Sequence, residues 1–375
     1  MHATPISFYQ RGATPKALLI AVALIALIIG AMLQTKQAQK STAQPEFERV
    51  ILLPNPRSVS AFNLVDHRGN DFTLDSVAGK WSLLFFGFTH CPDICPTTLL
   101  TLKNIRNTLS ANGKWPDLNI IMVSVDPDRD TVERLAQYVP FFHPEFTGVT
   151  GTTEAITQFA KELGILFVKR EADESGFYDV DHSVSMVLLN PRGEYAGVIT
   201  APHEEVTLET DLAKLGQYLN ISTGRSNAAS EATTGHTEQI LNPEAKLKST
   251  PEPTLQITNA WVRLGPSNAR SHAAYLEVYN PSSEPILLQA VESPVFNNSM
   301  IHTTVIEKGL AQMQHLENLT VPAKTSLTLE PMGKHLMLMG ASRALIEGEA
   351  IPFVLSTDRG DVRFSATVQS AAKSK

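Results

Sequence analysis

The chain changes its hydrophobic period once, and that change divides it. From Glu46 to about Asn220, apolar runs of strand length alternate with stretches of helical spacing. Ser82–Phe88 and Leu118–Val125 read as buried strands. Between them, Leu99, Leu102, Ile105 and Leu109 recur at helical spacing from Pro96 to Asn112, with Gly113 placed to end the helix. Asp130 and Glu133 resemble a capping box opening a helix through Tyr138, and Thr153–Leu163 is amphipathic and stops at Gly164. Val184–Leu189 reads as a third strand, Asn190–Gly193 as a turn into a fourth, and Glu204–Leu219 as a last helix. Alternation of this kind predicts an α/β sheet, with the closing strand pair making it mixed. From Leu255 the helical spacing vanishes. Short segments such as AAYLEVYN, SLTLEP and VRFSATV alternate with turn residues, the pattern of an all-β sandwich or barrel.

The resulting plan has four parts. Residues 46–220 form the α/β domain and 254–370 the all-β domain. Residues 221–253, rich in Ser, Thr, Ala, Asn, Glu and Pro, read as a flexible linker. Residues 17–34 read as a transmembrane anchor, because Ala17 to Leu33 is apolar and uncharged. A helix of that length spans about 26 Å, the short end for a bilayer. The run exceeds a usual signal-peptide core and no clean small-residue cleavage site follows, which favours a retained anchor. Arg11 and Lys16 before it are balanced by Lys36 and Lys40 after it, so charge gives a weak vote on orientation.

Composition excludes some functions. A net charge of −7 leaves no basic footprint for nucleic acid, and no glycine-rich phosphate loop is present. There are 2 cysteines, Cys91 and Cys95, too close together to staple distant parts of a fold. Their setting, FTHCPDICP, lies between the first long strand and its helix, the placement of a thioredoxin-like reactive pair. Residues four apart on a helix share a face, so both sulfurs can reach one ion or each other. A helix N-terminus favours thiolate, and thiolates suit Cu(I). The spacing is CxxxC, wider than the CxxC of a typical thiol oxidoreductase. His182, read as lying in the loop before a central strand, could complete a trigonal site. His90 reads as shaping the turn. Asp126, Asp128 and Asp130 read as turn and cap residues rather than a cation loop, since no calcium-loop pattern follows.

FTHCPDICP, SVDPDRDT, PFFHPEFTGVTG and DVDHS, in that order, resemble the Sco/SenC family across about residues 46–220. The resemblance implies a thioredoxin-like fold binding copper through Cys91, Cys95 and His182, and a role in assembling the CuA centre of cytochrome c oxidase.

The β-domain offers a second set of soft donors. His335 and Met337 are two apart in a predicted strand and so share a face. Thioether sulfur binds Cu(I), ignores hard cations and cannot be lost to a disulfide. With His302 and Met313 the spacing is H-x10-M-x21-H-x-M. That spacing, with NAWVRLGP, AAYLEVYNP and EPMGKHLMLMG around it, resembles the PCuAC family of periplasmic copper chaperones. It implies a cupredoxin-like sandwich holding Cu(I) at His302, Met313, His335 and Met337. Pro331-Met332-Gly333 stands where a glycine-rich turn is more usual. The competing reading is core-filling methionines. Met339 reads as core, His315 as an accessory ligand, and His236 as solvated.

Together these readings predict a copper metallochaperone rather than an enzyme, with both domains in the periplasm and a single-pass anchor in a bacterial inner membrane. Copper is expected as Cu(I), with Cu(II) left open. The expected partners are the oxidase subunit bearing the CuA site, other copper or thiol-redox proteins, and the membrane. The alternative is a thiol–disulfide oxidoreductase keeping the oxidase cysteines reduced, with Cys91 and Cys95 as its redox pair.

Overall fold

The computed structural model of the protein describes residues 45–115, 118–172, 176–223 and 255–370, with Ile25 and Leu27 as isolated helical positions. The expected anchor, apart from those two residues, lies outside the described residues. So does the expected linker beyond Thr223, with His236. Among the described residues no helix is long and apolar enough to cross a membrane.

The first domain is built on a mixed sheet. Its order is Val50–Arg57, Tyr195–Ile199, Met186–Leu189, Trp81–Gly87, Leu118–Ser124, Thr147–Thr150, Leu64–Asp66 and Asp71–Phe72. Trp81–Gly87, Leu118–Ser124 and Thr147–Thr150 run parallel, as helical crossovers require, while Met186–Leu189 joins antiparallel. The central strands are buried on both faces, with Leu83, Leu84, Phe85, Phe86, Met122 and Val123 at most 1% exposed. This explains why they read as continuous apolar runs rather than alternating ones. The helix Ile94–Ala111 buries Leu99, Leu102, Ile105 and Leu109 against the sheet. It starts two residues earlier than the sequence suggests, which brings Cys95 into its first turn.

Two local expectations need correcting. Thr131, not Asp130, caps the helix Val132–Phe142, its hydroxyl accepting from the Arg134 N–H at 3.3 Å. That helix runs past Tyr138 through Pro140 because Tyr138, Val139 and Phe142 pack into the core. The predicted strand Val184–Leu189 begins two residues later, at Met186, and a separate short strand, Val180–Ser183, precedes it. Met186–Leu189 belongs to the first sheet, whereas Val180–Ser183 leaves it and joins the second domain.

In the second domain, hydrogen-bonded strands follow the order Leu319–Val321, Ile286–Glu292, Ala350–Thr357, Gly360–Gln369, Gln256–Arg263, Ser271–Tyr279, Lys334–Ala341, Phe296–Glu307 and Leu310–His315. The path wraps one apolar core in which Ile286 and Val321 from one end meet Ile301, Leu336 and Leu338 from the other. Asn259 accepts a positive φ of 52° at the register shift within Gln256–Arg263. Lys308 (φ 52°) and Gly309 (φ 78°) make a two-residue turn between Phe296–Glu307 and Leu310–His315, the left-handed pair a tight hairpin requires.

That hairpin joins the domains. Leu310 and Ala311 pair antiparallel with Ser183 and His182, and the Val184 N–H donates to the Gly309 carbonyl at 3.0 Å. Val180–Ser183 pairs on its other side with Phe167–Lys169. Two strands of the first domain therefore extend the sheet of the second, an edge addition held by main-chain hydrogen bonds.

Candidate metal centre

Three donor side chains of the first domain converge. One ligand atom each from Cys91, Cys95 and His182 lies within 4.8 Å of the others, and all three residues are buried. Both cysteines are free thiols. The Cys95 N–H points at Cys91 Sγ at 3.4 Å, and Cys95 Sγ lies 3.7 Å from His182 Nε2. Nδ1 of His182 faces the Ser183 carbonyl at 3.1 Å. That carbonyl accepts from Nδ1 and turns Nε2 toward the sulfurs. Burial pushes the Cys91 thiol up, but the Cys95 and His182 hydrogen bonds and the His182 charge outweigh it and leave Cys91 well below its ordinary value. Burial, then the neighbouring Cys91 sulfur, drives Cys95 well above. The couple is thus split beside the imidazole, Cys91 the more readily ionised of the two thiols and Cys95 the less. Such a set can bind a soft ion or attack a disulfide.

The sequence placed His182 in a loop; it stands in the short strand Val180–Ser183. The extended conformation there is fixed by pairing with Ala311 on one side and Phe167 on the other, a long-range cause absent from the local sequence.

The residues that aim this site were missed or assigned other roles. Asp130 is fully buried and ties the cysteine turn to the neighbouring strand. It accepts from the Thr89 N–H (3.0 Å), the Thr89 hydroxyl (2.6 Å) and the Ser124 hydroxyl (2.7 Å). Asp126 pairs with Arg129 and accepts from the Tyr178 hydroxyl at 2.8 Å, while Arg129 Nη1 donates to the Tyr178 carbonyl at 2.9 Å. SVDPDRDT therefore anchors both the cysteine turn and the segment leading to His182. His90, Asp126 and Asp130 also lie within ligating distance of one another. Their carboxylates are already committed to Arg129, Tyr178, Thr89 and Ser124, which leaves the cluster a structural role. Gly87 supports the site from beneath: a Cβ there would lie 2.8 Å from Cys95 Sγ.

In the second domain, strand register decides which donors share a face. His302 stands directly opposite both His315 and His335, Met313 opposite Thr304, and Met337 opposite Met300. Cross-strand partners project to the same side, as do residues two apart on one strand. His302, Met313, His335 and Met337 therefore occupy one face, together with His315. The sandwich core lies on the other, with Ile301, Leu336 and Leu338. Met337 is fully buried without belonging to that core, and Met313 packs against the apolar cluster of the first domain. Both His302 ring nitrogens and His335 Nε2 are buried with no hydrogen-bond partner among the described residues. His335 Nδ1 faces the Gly333 carbonyl at 3.1 Å, again reserving Nε2. The His302 ring centroid is 6.1 Å from His335 and 5.4 Å from His315. Burial first, then the adjacent His335 and His315, push His302 down to about 3, so its ring is a neutral donor at neutral pH. His315 is exposed, and Met339 is half-buried at the edge of the same face.

Fold and site together define a thioredoxin-like domain with a buried dithiol–imidazole cluster, joined to an all-β domain whose imidazole and thioether donors face it. The chain belongs to the SCO1/SenC family, whose model matches residues 53–217. The model of the putative lipoprotein LpqE-like family matches residues 255–368. A putative copper-binding protein of Stutzerimonas stutzeri is 39% identical, over 41% of this chain and 74% of that protein. The mitochondrial SCO2 homologue of Bos taurus is 36% identical (47% of this chain, 66% of that one), and the human mitochondrial SCO1 homologue 34% (48% and 59%). The chain thus spans somewhat under two thirds of the length of these two mitochondrial relatives. Among solved structures, copper-bound ScoI of Arabidopsis thaliana is 36% identical, covering 42% of this chain and 98% of that one with a TM-score of 0.40. The copper-bound PCuAC domain of PmoF2 is 22% identical (31% and 93%), with a TM-score of 0.27.

Proposed function

We propose that this protein is a two-site copper chaperone that delivers copper for assembly of the CuA centre of cytochrome c oxidase. The observation that carries the proposal is the pairing of two soft donor sets on one chain, Cys91, Cys95 and His182 in the first domain and His302, Met313, His335 and Met337 in the second. Copper is the cargo. Soft thiolate and thioether sulfur with neutral imidazole select Cu(I) over the hard cations. In both sets a backbone carbonyl holds a histidine by Nδ1 and frees Nε2 for the ion. Cys91, held well below the ordinary thiol range, is the readier of the two thiols to give up its proton to an incoming ion.

The relative named as a putative copper-binding protein supports this reading. We also read the second domain as cupredoxin-like, residues 17–34 as a single membrane anchor, and both domains as periplasmic. The partners would then be the CuA-bearing oxidase subunit and other copper or thiol-redox proteins. These parts rest on the apolar run and the family resemblance.

Copper titration of the reduced full-length chain tests the proposal. Two equivalents should bind; Cys91→Ala and Met313→Ala should each remove one, and a different one. A wild-type chain that takes up fewer than two coppers would end the two-site reading. A thiol–disulfide exchange role needs both cysteines but neither His182 nor the methionines. Retained oxidase assembly in cells carrying His182→Ala would favour that role, and its loss would favour delivery.

A further inference from the structure

The residue between the two thiols is committed to the other domain. Asp93 is the N-cap residue of Ile94–Ala111, where an aspartate ordinarily accepts from the N–H groups of the first turn. Its side chain makes no such bond. Instead the carboxylate, fully buried, accepts from the Tyr275 hydroxyl (2.9 Å), the Thr304 hydroxyl (3.1 Å) and the Met332 N–H (2.8 Å). Arg263 Nη1 donates to the Asp93 carbonyl at 2.9 Å and lies 3.7 Å from Oδ1. His335 Nδ1 stands 3.6 Å from Oδ2. Within its own domain the carboxylate has a single contact among the described residues, the Thr97 hydroxyl at 3.4 Å.

The socket is built for this guest. Met332 holds a φ of 63°, an unfavourable left-handed conformation for a side chain, and in it donates its N–H to the carboxylate. Arg263 is itself only 4% exposed, and its guanidinium lies 4.9 Å from the Tyr275 ring centroid. A carboxylate and a guanidinium taken out of water are costly unless each has the other. Around the socket the contact continues, with the Ser271 hydroxyl donating to the His90 carbonyl at 2.5 Å. Trp261, Ala273 and Tyr275 form a small apolar cluster separate from the sandwich core, on the face turned to the first domain.

We infer that Asp93 is the pin of a closed state, in which the socket of Arg263, Tyr275, Thr304 and Met332 grips the loop between the thiols. In this state the second domain covers Cys91 and Cys95 and holds its own donor face against them. An outside partner reaches the thiols only after the carboxylate leaves its socket. The chemistry the socket recognises is an acidic residue set between two cysteines, supplied here by the chain itself. The closure stands on geometry alone; it takes from the copper reading only its purpose, to keep a reactive site shielded.

The test is the alkylation rate of Cys91 and Cys95 by iodoacetamide in the metal-free, reduced full-length chain, followed by intact mass. Thr304→Val and Tyr275→Phe weaken the socket without altering the thiol loop, and Asp93→Ala removes the pin. Each should speed alkylation by about tenfold or more, the factor that losing one hydrogen bond to a charged group supplies. Wild-type rates in Thr304→Val, Tyr275→Phe and their double variant would overturn the pin, even if Asp93→Ala were faster through its changed charge. Protection of the wild type that disappears on dilution would also overturn it, in favour of docking between two copies. Slow wild-type alkylation, fast variants and fewer than two bound coppers would together uphold the pin and defeat the copper reading.

Discussion

At the scale of single residues, the site depends on side chains that do not themselves carry the chemistry. Asp130 is the strongest case. Three donors from Thr89 and Ser124 converge on its buried carboxylate and fix the turn that presents Cys91. Asp130→Ala leaves those donors unpaired, a loss of roughly 2–4 kcal/mol by the usual cost of breaking a buried charged network. Urea unfolding of the metal-free chain should show it; a change under about 0.5 kcal/mol would mean that water replaces the carboxylate freely. The sequence shows three aspartates in a row of alternating positions, and a turn explains such a row adequately. Only the folded chain shows that Asp126 and Asp130 reach in different directions, to Tyr178 and to Thr89.

At the scale of elements, the central strand and the helix after it meet at Gly87 and Cys95. A Cβ on residue 87 would stand 2.8 Å from Cys95 Sγ and 2.8 Å from the Phe85 ring. Both neighbours are buried, so neither can yield cheaply. Gly87→Ala should therefore cost about 1–3 kcal/mol in stability, the typical penalty of overpacking. It should also weaken copper at the thiolate site while sparing the site containing Met313. Equal weakening of both sites in a competition titration would contradict this local account. The helix itself was legible, because four leucine and isoleucine positions mark its buried face. The strand carrying His182 was not, because it exists through pairing with the hairpin of another domain.

At the scale of the whole molecule, each domain buries a histidine with no charged partner to support protonation. Burial pushes His203 in the first domain and His272 in the second down to about 4. Above pH 6.5 both are neutral in either state and contribute nothing to the pH dependence. As pH falls from 6.5 toward 4 the unfolded chain takes up protons that the folded chain refuses, so stability falls, and below about 4 this contribution levels off. Each histidine accounts for on the order of 3 kcal/mol of that fall. His203→Gln and His272→Gln should each flatten the decline of urea midpoints between pH 6.5 and 4.5. An undiminished slope in both variants would assign the acid sensitivity to other groups, His302 or the carboxylates. The docking of the two domains belongs to this scale as well, since the buried Asp93 and the shared sheet make neither surface complete alone.

The amino-acid sequence on its own determined the two domain types and the donor candidates, because hydrophobic period and residue spacing are local properties. It placed the Cys91 and Cys95 sulfurs within reach of one another, although Cys91 stands before the helix that carries Cys95, and it placed His335 beside Met337 on one strand face. It could not show that the two donor sets lie along one shared sheet, nor that the Asp93 carboxylate turns from its own helix to partners 182 to 239 positions away. Those facts come from contacts between segments remote in the chain. Their energies lie in burial and in partner choice, which no short window of sequence contains.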